Sequence, residues 1–280
     1  MTHARRLYGL IGAGVIMFML IGSVQDLSWT GVWITPIAWY GYILFVDWLI
    51  DRQNGNSFLI HHTREFGWMA FFSVGLWSVF ELHNLLFHNW IYSGLPENIF
   101  ITGLGFIVAF SSILPAMYVT HLLVRTCFVK SIPITPQRYS KLRLLCEICL
   151  GLICICAATF YPSPYTGPLI WPGYLFVFSP LNHLVGLPSI FRERQRGNYA
   201  ETVSLLAGGF ICGFFWEFFN YFAGARWSYN VPYLPHIRIF EMPVVGFLGF
   251  GPFAVLFFEM YRFVRNVPHV FNNDRMQNIQ

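Results

Sequence analysis

The chain has 280 residues, 56 % of them apolar and only 11 % charged, with a formal net charge of +4. A soluble domain carries about 25 % charged residues, and the mean hydropathy here is +0.53. So few charges cannot cover a globule, and 19 % aromatic residues exclude a disordered chain, a nucleic-acid module and most soluble enzymes. An all-α, polytopic membrane bundle is the class that remains.

A membrane-crossing helix needs about 20 mostly apolar residues. Eight segments approach that length: 7–24, 34–51, 66–88, 99–124, 142–160, 169–190, 201–223 and 240–263. The first follows Arg5 and Arg6 as a signal peptide would, but lacks a small-x-small cleavage site and reads as a retained helix. Pro36 sets the expected start of the second. The segment 125–141, with Pro133 and Pro136, reads as a linker, and no loop is long enough to fold separately.

Basic residues alternate with these segments. The N-terminus, the second, fourth and sixth connections and the C-terminus hold 15 of the 17 Lys and Arg, from Arg5, Arg6, Arg52, Arg64, Arg125 and Arg192 through Arg262, Arg265 and Arg275. The opposite connections hold only Arg226 and Arg238. The positive-inside rule then places both termini in the cytoplasm, in the cell (inner) membrane. None of the six cysteines falls in an outward loop, so no disulfide framework is implied. Cys146 and Cys149 form a CxxC early in the fifth segment, expected as small core residues, with a redox role left open.

The two halves resemble each other. Trp39-Tyr40-Gly41-Tyr42 aligns with Trp171-Pro172-Gly173-Tyr174, Glu81-Leu82-His83-Asn84 with Glu217-Phe218-Phe219-Asn220, Trp90-Ile91-Tyr92 with Trp227-Ser228-Tyr229, and Pro115 with Pro252. Rare residues recurring in order imply two tandem four-helix repeats, residues 1–130 and 131–280, within one integrated membrane domain. An even number of spans per unit gives both the same orientation, with a site between them.

Ionisable residues inside spans are costly and are functional candidates. Glu81 and Glu217 fall in the outer halves of the third and seventh segments, and Glu241 opens the eighth. Glu81, Asn84 and His88 share one helical stripe, and Glu217, Asn220 and Gly224 another. The amides are expected to orient the carboxylates, and Arg226 to pair with Glu217 or Glu241. Two carboxylates held in different environments make an acid/base pair. Glu81, Glu217 and Glu241 are therefore the candidate catalytic groups. Asn84, Asn220, His83, His88, Arg226, Trp90, Tyr92, Trp227 and Tyr229 are the candidate substrate-binding ones. Asp47 and Glu259 lie near cytoplasmic ends and read as structural. His83, His121 and His183 differ in depth, which argues against a haem pair. HExxH, Walker and GxSxG motifs are absent, so neither metal nor cofactor is expected.

The stretch Trp216-Glu217…Asn220…Gly224-Ala225-Arg226-Trp227-Ser228-Tyr229, followed by Glu241-Met242-Pro243…Gly246…Gly249…Pro252, resembles the integral-membrane carotenoid hydratases and lycopene-cyclase-domain proteins. The resemblance implies cofactor-independent hydration, cyclisation or isomerisation of an isoprenoid, a carboxylic acid protonating a C=C bond. On that reading Glu217 and Glu241 are acid and base. Two other readings stay open: a transporter or channel with a carboxylate-lined site between the repeats, and a membrane scaffold or assembly subunit. The expected partners are the membrane and a lipid or isoprenoid substrate, with no nucleic acid; association into a homo-oligomer is left open.

Overall fold

The computed structural model describes the backbone of residues 3–277 and the side chains of residues 7–267. Arg5, Arg6 and Arg275 of the charge argument lie outside the described side chains.

The chain starts as a helical hairpin, α1 (His3–Val24) against α2 (Ser28–Asn54). A side chain at Gly12 or Gly41 would collide with the facing backbone, so these glycines let the two helices touch. A short turn α3 (Phe58–His61) leads into α4 (Thr63–Phe87), strand β1 (Trp90–Ser93) and α5 (Ile99–Cys127). A second hairpin follows, α6 (Lys141–Phe160) against α7 (Ile170–Leu184), close-packed at Gly151 and Gly173. Then come α8 (Ile190–Gln195), α9 (Ala200–Tyr221), β2 (Arg226–Tyr229), β3 (Arg238–Ile239), β4 (Met242–Pro243) and α10 (Val244–Gln277). Helix α5 packs against α2, α4 and α9, and α10 closes the bundle against α9 and α7. Helix occupies about 74 % of the chain, so the fold is an all-α bundle.

Among the described residues, seven helices are long and apolar enough to cross a membrane: Leu7–Val24 of α1, α2, α4, α5, α6, α9 and Val244–Val267 of α10. Except for the largely buried α2, they carry exposed Leu, Ile or Phe, as an integral membrane protein requires. The sixth expected segment, 169–190, differs. Helix α7 has only 15 residues, about 22 Å against the ~30 Å of a hydrocarbon core. Gly186, with φ of 82°, and Pro188 end it early. The second segment begins at Ser28 rather than Pro36, which lies buried inside α2. Neighbouring helices can shelter the carbonyl that a proline leaves unbonded. Cys146 and Cys149 are exposed free thiols on α6, a correction to the core placement expected of them.

One end of the bundle is tied by ion pairs. Arg262, late in α10, bonds Glu259 at 2.9 Å and also Glu201 at the start of α9. Arg265 bonds Glu65, at the start of α4, at 3.1 Å. Glu259 is fully buried and also accepts from Asn182 Nδ2 at 3.0 Å and the Ile190 amide at 3.1 Å. Asp47 works similarly on the other hairpin, accepting from the Phe58 amide at 2.7 Å. Removing one partner of a buried pair is far more damaging than loosening an exposed one. Arg262→Met should destabilise the protein by about 3–5 kcal/mol, whereas Arg265→Met should cost about 1 kcal/mol or less. Unfolding of the detergent-solubilised variants measures the difference.

Candidate functional site

At the opposite end, β1 and β2 pair antiparallel, with Trp90 opposite Tyr229 and Tyr92 opposite Trp227. The sequence reading treats both stretches as loops; here they form a two-stranded ribbon. Residues two apart on a strand face the same way, so one face carries Trp90, Tyr92, Trp227 and Tyr229. Gly94, in the left-handed region with φ of 68°, lets the end of β1 approach the backbone of Gly224.

Two asparagines hold the ribbon to its helices. Asn84 donates Nδ2–H to the Trp90 carbonyl at 2.8 Å and accepts the Trp90 amide at 3.1 Å. Asn220 does the same to Trp227, at 2.8 and 2.9 Å. This corrects the expectation that the amides orient the carboxylates. They satisfy backbone groups, which an apolar setting cannot leave open.

The carboxylates bond to aromatic side chains instead. Glu81 accepts from Trp77 Nε1 at 2.8 Å, Tyr92 Oη at 2.6 Å and Trp90 Nε1 at 3.3 Å to both oxygens. Glu217 accepts from Tyr229 Oη at 2.6 Å through Oε1. Trp227 Nε1 turns to Tyr229 Oη at 2.7 Å rather than to the carboxyl. Glu217 is 0 % exposed, and its Oε2 has no hydrogen-bond partner among the described residues. The difference between the halves has a local cause. Trp77 lies one turn before Glu81; one turn before Glu217 stands Gly213, and the Phe250 ring of α10 presses against it. One indole donor is therefore absent from the second half.

Glu241 lies in the turn between β3 and β4, before α10 begins, rather than opening that helix. Its Oε1 is 3.9 Å from Arg226 Nη1, a long and partly exposed pair. His83 Nδ1 bonds the Val79 carbonyl at 2.7 Å, and His88 caps α4 in the left-handed conformation.

A cavity of about 530 Å³ opens beside the ribbon. Its wall includes Trp90, Tyr92, Trp227 and Tyr229, as well as Trp39, Trp77, Trp171, Trp216, Phe110 and Phe253 from the helices. Among the described residues, none that lines it is Asp, Glu, Lys, Arg or His. Glu81, Glu217, Glu241, Asn84, Asn220, His83, His88 and Arg226 all lie outside the wall. Trp77 is the hub, with ring centroids 5.9 Å from Trp90, 5.9 Å from Trp216, 6.3 Å from Trp171 and 5.7 Å from Phe253. The sequence reading missed Trp77 and Trp216 as site residues. The available signal was their placement on the turns that carry Glu81 and Glu217. Burial, reinforced by the adjacent carboxylates, pushes the Tyr92 and Tyr229 phenols well above their ordinary range. Among the described residues no cluster of three His, Cys, Asp or Glu side chains could hold a metal.

No family model, curated protein or solved structure matches the chain.

Two measurements check this geometry. Asn220→Ala leaves two backbone groups of Trp227 unpaired and should cost about 2 kcal/mol of stability, with a similar loss for Asn84→Ala. A raised phenol keeps its proton as pH rises through its usual range. The phenolate absorbance gained up to about pH 10.5 should therefore be equal in the wild type and a Tyr92→Phe/Tyr229→Phe variant. A smaller gain in the variant would place one of these phenols in the ordinary range.

Proposed function

We propose that the chain is a membrane-embedded enzyme acting on an isoprenoid, carotenoid-like or other elongated lipid, exchanging a proton with it through Glu217 and Tyr229. One observation carries this reading: an uncharged aromatic cavity whose wall residue Tyr229 is bonded to a buried carboxyl with a free oxygen. The volume falls within the ~300–1,000 Å³ of small-molecule sites. An apolar wall excludes water and suits a hydrocarbon, and indole faces stabilise a cation that forms against them.

The wall separates the carboxyl groups from the occupant, so the proton passes through the phenol. Alone, a phenol with a raised pKa is a poor acid. Coupled to Glu217 it exchanges one proton for another and stays neutral. In the observed orientation Tyr229 donates to Glu217, which readies the pair to take a proton from the occupant. With Glu217 protonated and that hydrogen bond reversed, Tyr229 delivers its proton to a C=C carbon, takes the proton of Glu217 in exchange, and leaves the cation on the neighbouring carbon and the charge on the Glu217 carboxylate. Loss of a proton from an adjoining carbon ends an isomerisation or cyclisation; addition of water, with loss of its proton to the pair, ends a hydration. Glu81, saturated by three donors, serves as the clamp of the other half. Glu241, on the partly exposed turn, stands away from this exchange.

The same reading takes residues 1–130 and 131–280 as tandem four-helix units, with α7 as an eighth, short crossing and both termini cytoplasmic. Several parallels support it. Gly55 and Gly186 end α2 and α7 with positive φ, and Ser57 and Ser189 then cap α3 and α8. The pairs Gly12/Gly41 and Gly151/Gly173 join the two hairpins. The ion-paired end gathers Arg262 and Arg265, while Arg226 lies on the ribbon at the other.

The first experiment is mass spectrometry of lipids that copurify with the gently solubilised protein, expected to find a prenyl or polyene lipid. With that lipid as substrate, Glu217→Gln and Tyr229→Phe should each lower turnover by about 10²–10⁴-fold. Glu81→Gln should act mainly on stability. Full turnover by Glu217→Gln would remove Glu217 from the chemistry. Movement of an unaltered lipid across proteoliposome membranes would favour a transporter instead.

A further inference from the structure

A second cavity, of about 360 Å³, lies at the ion-paired end, far in the fold from the aromatic site. Helix α5 supplies Arg125 to its wall, α8 and its cap supply Arg192, Glu193 and Arg196, and α9 supplies Glu201. Both carboxylates are already engaged. Glu193 accepts the Thr202 amide and hydroxyl, each at 3.0 Å, as well as the Glu201 amide. Glu201 is bound by Arg262. The three guanidinium groups are not so engaged. Arg125 is steadied through Nη1 alone, on the Val129 and Lys130 carbonyls at 2.9 Å each. Among the described residues, no carboxylate lies within ion-pair distance of Arg125, Arg192 or Arg196.

Three arginines without carboxylate partners therefore converge on one concave site from two helices that are distant in sequence. Glu193 is held by neutral donors, which leave its charge in place, so the wall sets three guanidinium groups against one carboxylate not already ion-paired; such an excess of like charge is unfavourable until an anion sits among them. A guanidinium presents paired N–H donors that match tetrahedral oxyanions bidentately. Arg125 is half-buried and already oriented, so less side-chain freedom is lost when it binds. We propose that this pocket binds a phosphate-type anion between Arg125, Arg192 and Arg196. A free phosphate and the headgroup of an anionic phospholipid share this chemistry. The proposal does not depend on the reading of the aromatic cavity.

The test uses the full chain in detergent and follows its thermal unfolding. One arm adds inorganic phosphate, with sodium chloride at equal ionic strength as control. The other adds phosphatidylglycerol to the micelles, with phosphatidylcholine as control. Stabilisation beyond the control is expected in at least one arm, because a ligand that binds only the folded state raises its stability. A response to phosphate identifies a free anion, and a response to phosphatidylglycerol alone identifies a headgroup. Arg192→Gln and Arg196→Gln, which remove no side-chain hydrogen bond or ion pair among the described residues, should each raise the half-saturating concentration about tenfold or more. Arg125→Gln is left aside because it also unties the 129–130 carbonyls. No response beyond the controls in either arm would overturn the proposal. So would an unchanged response in both variants.

Discussion

The site rests on two amide side chains. Asn84 and Asn220 each close the last turn of a long helix and hold the backbone of the strand that follows. Without them, β1 and β2 would enter an apolar end of the bundle with unsatisfied polar groups, which such surroundings penalise heavily. With them, the ribbon has one register. That register brings Trp90, Tyr92, Trp227 and Tyr229 to one wall and carries both phenols to the carboxylates behind it. The cavity and its hydrogen-bonded backing follow from these clamps.

The two carboxylates, alike in sequence, differ in surroundings. Glu81 receives three donors because Trp77 lies one turn below it. Glu217 receives one, because Gly213 replaces that indole, with Phe250 of α10 in its space, and Trp227 gives its N–H to Tyr229 instead. A carboxyl locked by several donors is held in place. One with a free oxygen can exchange a proton. The proposed chemistry is assigned to Glu217 for that reason, although the halves look equivalent when aligned.

The polar end of the molecule uses another principle. Arg262 joins Glu259 and Glu201, and its position on α10 ties the last helix to α9. By occupying Glu201 it leaves the arginines of the neighbouring pocket in excess. A structural ion pair thus sets the charge of the proposed anion site beside it.

The sequence by itself determined the membrane class and most helix positions, and it singled out Glu217, Tyr229 and their counterparts as candidates. Hydropathy and charge are local quantities, and a rare Glu or Asn within an apolar run is conspicuous wherever it occurs. Trp90 and Tyr92 were also singled out, but as loop residues; their strand pairing joins segments far apart in the chain and leaves too short an alternation to read. The Asn84 and Asn220 stripes were visible, yet the partner of each amide depended on where the next strand turned back. Helix α7 came out shorter than its apolar run because hydropathy does not register the backbone break at Gly186 and Pro188. Only the tertiary structure decided which carboxyl oxygen lacked a donor, that a wall of indoles stood before both carboxylates, and which arginines were left without a carboxylate partner. Each of these is a matter of what remains after every neighbour has been placed, and no single segment carries that information.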